Sequence, residues 1–145
     1  WIIPAERMKM KAEHIVPLSK QVINILEQLK QFNGQYDYVF AGIRDHKKTI
    51  SNNTLLYAIY RLGYHSRATT HGFRATASTI LNEMGYNRDA IERQLAHVES
   101  NKVRAAYNRA EYLDERIIIM RDWSNLIESM TAGKNVIIGD FKRSG

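Results

Sequence analysis

Apolar residues recur along most of this chain at three- and four-residue intervals, the spacing of a helix with one covered face. Val22, Ile25, Leu26 and Leu29 form such a stripe between Ser19, a good N-cap, and Asn33-Gly34, which stops the helix. Leu55, Leu56, Ile59 and Leu62 form a second, with Ser51 as its expected cap and Gly63 at its end. Thr70 is placed to cap a third helix through Phe73, Ala77, Ile80, Leu81 and Met84, closed by Gly85. Asn87 caps a short fourth through Ile91 and Leu95. A further short helix is expected over Asn101–Arg109. The last long helix carries Leu113, Ile117, Met120, Trp123, Ile127 and Met130 on one side.

The first sixteen residues follow a different pattern. Trp1-Ile2-Ile3 is apolar, Pro4–Lys11 is polar and turn-like, and His14-Ile15-Val16 is β-prone before Pro17, so the spacing predicts a β-hairpin. Tyr38-Val39-Phe40 reads as a short extended stretch and Ala41–Ile50 as a basic loop. The fold class expected is α+β, mainly α, with a small N-terminal β-hairpin or sheet.

The 145 residues are enough for one core. There is no cysteine, which excludes a disulfide framework and thiolate metal sites and fits a cytoplasmic protein. No apolar run spans a bilayer, and no secretory signal opens the chain. The chain starts at Trp1 rather than methionine and reads as part of something longer. Net charge is +6, unevenly spread: residues 41–75 carry +5, against +1 for residues 1–40 and zero for residues 76–145. A basic segment on a nearly neutral background points to a polyanion, although any solvated basic face has the same composition.

Four pieces can carry chemistry. In His71-Gly72-Phe73-Arg74 the histidine and arginine share the first turn of the third helix, with Phe73 turned towards the core. That turn offers unpaired N–H groups and the positive end of the helix dipole. Arg74 can fork two phosphate oxygens, and His71 can move a proton near neutral pH. His97 follows Leu95-Ala96. Tyr107 lies in Ala105-Ala106-Tyr107-Asn108-Arg109. A tyrosine hydroxyl, with an ordinary pKa of about 10, is a weak nucleophile until activated. Lys9 and Lys11 stand in the front hairpin, where a lysine can donate to a leaving oxygen. Each piece alone has a bland alternative, as surface, capping or packing residues. Other chemistries fit poorly: there is no phosphate-binding G-x-x-x-x-G-K-[ST], no H-E-x-x-H and no G-x-S-x-G.

In order and spacing, these motifs resemble the tyrosine recombinase (phage integrase) family, in particular integrases of prophages and genomic islands that insert at tRNA genes. The matching residues are Met8-Lys9 before His14-Ile15-Val16-Pro17-Leu18, Thr70–Arg74, Leu95–Val98 and Ala105–Arg109. The resemblance covers most of residues 1 to about 128. It implies that residues 1–130 are the C-terminal portion of an integrase catalytic domain. Residues 131–145 would be a tail that docks on a neighbouring protomer. It implies that Tyr107 attacks the scissile phosphate to give a 3′-phosphotyrosine, Arg74 stabilises the transition state, His71 acts as general acid or base, His97 bonds a non-bridging oxygen and Lys9 protonates the 5′-oxygen. Lys9 is preferred to Lys11 on family spacing. No cofactor and no metal are implied. The partners implied are a double-stranded DNA attachment site, a homotetrameric synapse, and accessory DNA-bending or directionality factors. Lys11, Arg44, Lys47, Lys48 and Arg67 are candidate DNA contacts.

Two departures stand out. The family's first catalytic arginine precedes the hairpin and has no counterpart in these residues, so the stretch alone is expected to be inactive or nearly so. Ala96 stands where many relatives have glycine. The alternatives are a non-catalytic DNA-binding module or degenerate integrase, a type IB-like topoisomerase, and a helical interaction domain whose His and Arg positions are coincidental.

Overall fold

A computed structural model describes residues 1–9, 11–97 and 111–133. Helices dominate. The elements are β1 (Ile2–Ile3), a 3-10 turn (Ala5–Arg7), β2 (His14–Ile15), α1 (Lys20–Asn33), α2 (Thr54–Ile59) continuing into a π turn (Tyr60–Tyr64), α3 (Thr70–Glu83), α4 (Arg88–Gln94) and α5 (Leu113–Thr131). β1 and β2 pair antiparallel, Ile2 with Ile15 and Ile3 with His14, as the hairpin pattern predicts. No helix among the described residues is long and apolar enough to cross a membrane. The expected helix over Asn101–Arg109 and the tail beyond Gly133 lie outside the described residues.

The chain divides into two compact units. One is Trp1–Ser19 with residues from Ala77 onward; the other is Lys20–Thr76. The first contains the core: Leu81 on α3, Ala90 and Ile91 on α4, and Ile119 on α5, with Met84, Tyr86, Leu95, Tyr112 and Trp123 packed against them. Polar bonds join the same elements. The Tyr86 hydroxyl donates to Asp122 Oδ2 at 2.6 Å, Asn87 Nδ2 to Glu115 Oε2 at 3.2 Å, and the buried Ser124 hydroxyl to that of Ser19 at 2.7 Å.

Local chemistry sets the helix ends. Gly85, at φ 78°, closes α3: its N–H bonds Asn82 O at 3.0 Å and the Tyr86 N–H bonds Leu81 O at 3.2 Å. This is a Schellman stop, and Tyr86 packs against the core cluster that includes Leu81. Asn87 caps α4 by accepting the Asp89 N–H at 3.0 Å. Two expected caps are corrected. Thr69, not Thr70, caps α3, its hydroxyl accepting the Gly72 N–H at 3.0 Å. Ser51 does not cap α2. Its hydroxyl pairs with that of Thr54 at 2.9 Å, its carbonyl accepts the Thr54 N–H in a turn, and the helix starts only at Thr54.

The expected face of α5 is also corrected. Leu113, Ile117, Ile127 and Met130 are exposed, Met120 and Trp123 are half-buried, and the buried positions are Arg116, Ile119 and Ser124. An arginine occupies the inner face, so the apolar periodicity runs out of register with the true one. Arg116 is fully buried. Its guanidinium donates to Gln94 Oε1 at 2.9 Å, to Glu111 O at 3.1 Å and to Ile15 O, and lies 3.6 Å from a Glu111 carboxylate oxygen. A buried cation survives only when its donors are met and a counter-charge is near, and here both conditions hold. Burial nonetheless lowers its pKa from the ordinary arginine value, with Glu111 opposing.

The second unit is different in kind. None of residues 20–76 is buried. Gly34 ends α1 with its N–H on Lys30 O at 2.8 Å, and a Cβ at Gly34 would meet that oxygen at 2.5 Å. The expected extended stretch Tyr38–Phe40 is reduced to a turn into an isolated antiparallel bridge, Ala41 with Thr49. Its residues are exposed and have no sheet to join.

Candidate functional site

α3 presents the His71/Arg74 pair on its first turn. The Thr69 cap fixes where that turn begins, and Gly72 lies against it: a Cβ at Gly72 would stand 3.3 Å from Thr69 Oγ1. Thr76 Oγ1 bonds back to Gly72 O at 3.0 Å. His71 is exposed and Arg74 half-buried. Three positions apart on a helix, they share a face beside the positive end of the helix dipole, a place suited to an anion. Phe73, expected inward, is 61% exposed, because residues 20–76 form no interior for it to enter.

The basic loop is locally well tied. The Gly42 N–H bonds Lys48 O at 2.7 Å, the Ile50 N–H bonds Phe40 O at 2.9 Å, and the Lys47 N–H bonds Asp45 Oδ1 at 3.1 Å. A Cβ at Gly42 would meet Asp45 O at 2.9 Å, so the tight loop requires glycine there. Arg44, Lys47 and Lys48 are exposed on it, with Lys48 Nζ 3.3 Å from Asp45. The Tyr36 and His46 rings stack at 4.1 Å, and the exposed Arg67 lies over the Tyr64 ring at 5.9 Å. The loop is therefore an ordered display of cations.

Lys9, Lys11 and His97 belong to the other unit. Lys9 and Lys11 are exposed in the turn between the 3-10 segment and β2. The Lys11 N–H bonds Met8 O at 3.1 Å, and Lys11 itself is in the left-handed region at φ 51°. His14, on β2, differs from the two lysines. It is buried, and burial first, then the charge of Arg116, lowers its pKa, against a bond to the Gln94 backbone and the charge of Glu111. A neutral ring is the form this environment favours.

His97 follows the end of α4. Its Nδ1 lies 2.6 Å from Glu92 Oε2, and its backbone N–H bonds Glu92 O at 3.0 Å. The neighbouring Arg93 uses Nε on Glu111 Oε2 at 3.1 Å and Nη2 on the other carboxylate oxygen, a two-point fork. Glu92 and Arg93 thus hold the chain at residues 97 and 111. Tyr107 lies outside the described residues, as do the other residues of Ala105–Arg109. Glu92, Arg93, Glu111 and Arg116 carry no motif, and only their spacing to His97 and the hairpin, visible after folding, singles them out. Among the described residues, no three His, Asp or Glu side chains gather as a metal site.

The phage integrase family model matches residues 1–113. The chain is 40% identical over 137 residues to the prophage integrase IntA of Escherichia coli (strain K12), covering 94% of this chain and 33% of that protein. It is 44% identical over 144 residues to the integrase of Enterobacteria phage P4, covering 88% and 33%. With the prophage integrase IntZ of Escherichia coli (strain K12) the identity is 45% over 132 residues, covering 90% and 32%. The chain spans about a third of the length of the curated relatives it matches. No solved structure matches it. With four ordered motifs and a family match over most of its length, this chain belongs to the phage integrase family.

Proposed function

We propose that this chain forms part of the catalytic domain of a site-specific recombinase that integrates or excises a mobile element through a tyrosine–DNA intermediate. The observation that carries this reading is the family match over residues 1–113, a span that contains Lys9, His71, Arg74, His97 and Tyr107 in that order. The shared α3 turn of His71 and Arg74 supports it.

In this reading the Tyr107 oxygen attacks the scissile phosphorus. The bond from phosphorus to the 5′-oxygen breaks as the bond to tyrosine forms, leaving a 3′-phosphotyrosine and a 5′-hydroxyl. His71 takes the phenolic proton and Lys9 supplies one to the departing 5′-oxygen. Arg74 and His97 meet the oxygens on which charge builds, an electrostatic effect fixed in place before reaction. The phosphodiester energy stays in the phosphotyrosine, so a 5′-hydroxyl from another strand reverses the step without ATP. Lys11, Arg44, Lys47, Lys48 and Arg67 contribute phosphate contacts, which give affinity and register but little sequence information. The partners are a double-stranded attachment site, three further protomers in a synapse, and accessory bending or directionality factors, with residues 131–145 docking on a neighbour. Residues 1–145 alone lack a second phosphate-binding arginine, and the loss of one such donor costs roughly 10²–10³ in rate. They are expected to cleave poorly or not at all.

The test uses the full-length protein on nicked duplexes carrying tRNA 3′-end sequences. The nick lets the 5′ fragment leave, so a covalent adduct accumulates. An SDS-stable band that disappears with Tyr107→Phe, and that Arg74→Ala suppresses at least about 10²-fold while much of the DNA binding remains, is the expected result. Binding across a broad site pool with no adduct would favour the non-catalytic module instead.

A further inference from the structure

α4 ends in a geometry that ties His97 to Glu92 twice. The His97 N–H bonds Glu92 O at 3.0 Å and the Ala96 N–H bonds Arg93 O at 3.0 Å, with Ala96 at φ 49° between them. These paired backward bonds around a left-handed residue make a Schellman stop. The stop folds the chain back, so that residue 97 meets the side chain of residue 92, and Nδ1 lies 2.6 Å from Glu92 Oε2. An ionised carboxylate has acceptors only, so the proton in this bond sits on Nδ1.

We propose that Glu92 is a positioning residue: it fixes the plane and the Nδ1–H form of the His97 ring and so assigns Nε2 to the phosphate oxygen. This rests on the reading of His97 as a phosphate contact. With Nδ1–H committed to Glu92, the ring that donates from Nε2 is the imidazolium, and the carboxylate balances its charge. Partners of this kind behind a working histidine are a general device for fixing tautomer and orientation, and in metal sites their loss costs about 10–100-fold. Ala96 adds to the constraint. An alanine held at positive φ persists only when its surroundings over-determine it, and here two backbone bonds and the Glu92 contact do so.

The experiment has two arms, both on the full-length protein. In single-turnover cleavage of the nicked duplex, Glu92→Ala is expected to slow cleavage about 10–100-fold with DNA affinity held. Glu92→Gln, which keeps a carbonyl acceptor, should recover most of the rate. In a His97→Ala background, Glu92→Ala should cost nothing further. An equal loss in both backgrounds would assign Glu92 a purely structural role and overturn the proposal. The second arm reads the His97 ring by nitrogen NMR in mildly alkaline buffer: the Nδ1–H form is expected in the native protein and a mixture of forms in Glu92→Ala. If the adduct forms but the ring signal ignores Glu92, this inference alone fails. If the ring follows Glu92 but no adduct forms with the native protein, the functional reading fails and takes the catalytic role of the pair with it.

Discussion

Residues 20–76 and the residues from Ala77 onward both carry amphipathic helices, yet only the latter, with Trp1–Ser19, bury any side chain. Ile25 on α1 is 55% exposed and Leu55 on α2 54%, whereas Ile91 on α4 and Ile119 on α5 are sealed at 0%. The sequence pattern of α1 is no weaker than that of α4. The difference is in what meets each stripe. α4 and α5 pack directly on one another around Ile91 and Ile119, and side-chain bonds from Asn87 and Gln94 to α5 hold them there. An apolar stripe records what a helix would cover; the density of tertiary bonds decides what is covered.

The contrast is sharpest under truncation. Ile91→Ala should cost about 2–5 kcal/mol, because it removes buried methyl groups from a packed site that can only partly collapse. Leu26→Ala on the half-buried face of α1 should cost well under half of that, since area bookkeeping scales with the surface removed from water. Urea denaturation of both variants checks the pair, and equal losses would break the comparison.

A smaller effect in the buried unit depends on pH. His14 has its pKa held below the ordinary 6.5 by burial and by Arg116. Below that pH the unfolded chain therefore binds a proton that the folded unit resists. The contribution of the neutral ring is complete above about 6.5 and is lost as pH falls through the lower folded-state value. Urea midpoints should drop on mild acidification, and His14→Asn should flatten part of that slope. The histidines of residues 20–76 are all exposed.

The smallest predicted change is a gain. Ala96 occupies a left-handed position that suits glycine, so Ala96→Gly should stabilise the protein by about 0.5–1 kcal/mol, read as a small rise in Tm. A loss would mean that the α4 stop is less constrained than its bonds indicate.

These residues also mark what a sequence can disclose. Gly85 and Asn87 are legible because a stop and a cap are local: each requirement is met within a few positions. The hairpin is legible from Ile2, Ile3, Ile15 and the proline that ends it. Arg116 is not, since hydropathy assigns a guanidinium to the surface, and only the acceptors on Ile15, Gln94 and Glu111 make its burial tolerable. The misplaced face of α5 follows from that residue together with Ser124, a second polar side chain on the inner face. Phe73 misleads in the opposite direction, an aromatic on a helix that finds no interior. Of the candidate site, the residue types and their order could be read directly, and the His71/Arg74 face followed from helical spacing. Glu92 could not be read, because its approach to His97 depends on an alanine adopting positive φ.

The bond from Arg116 to the carbonyl of Ile15 joins positions 101 residues apart, and the unit it closes is interrupted in sequence by Lys20–Thr76. On a ribosome adding about 5–20 residues per second, β2 would wait roughly 5–20 s for the guanidinium that completes it. The inserted residues would be free to acquire their helices during that interval. The front hairpin is thus synthesised well before the residue that completes it, and is a late participant in folding.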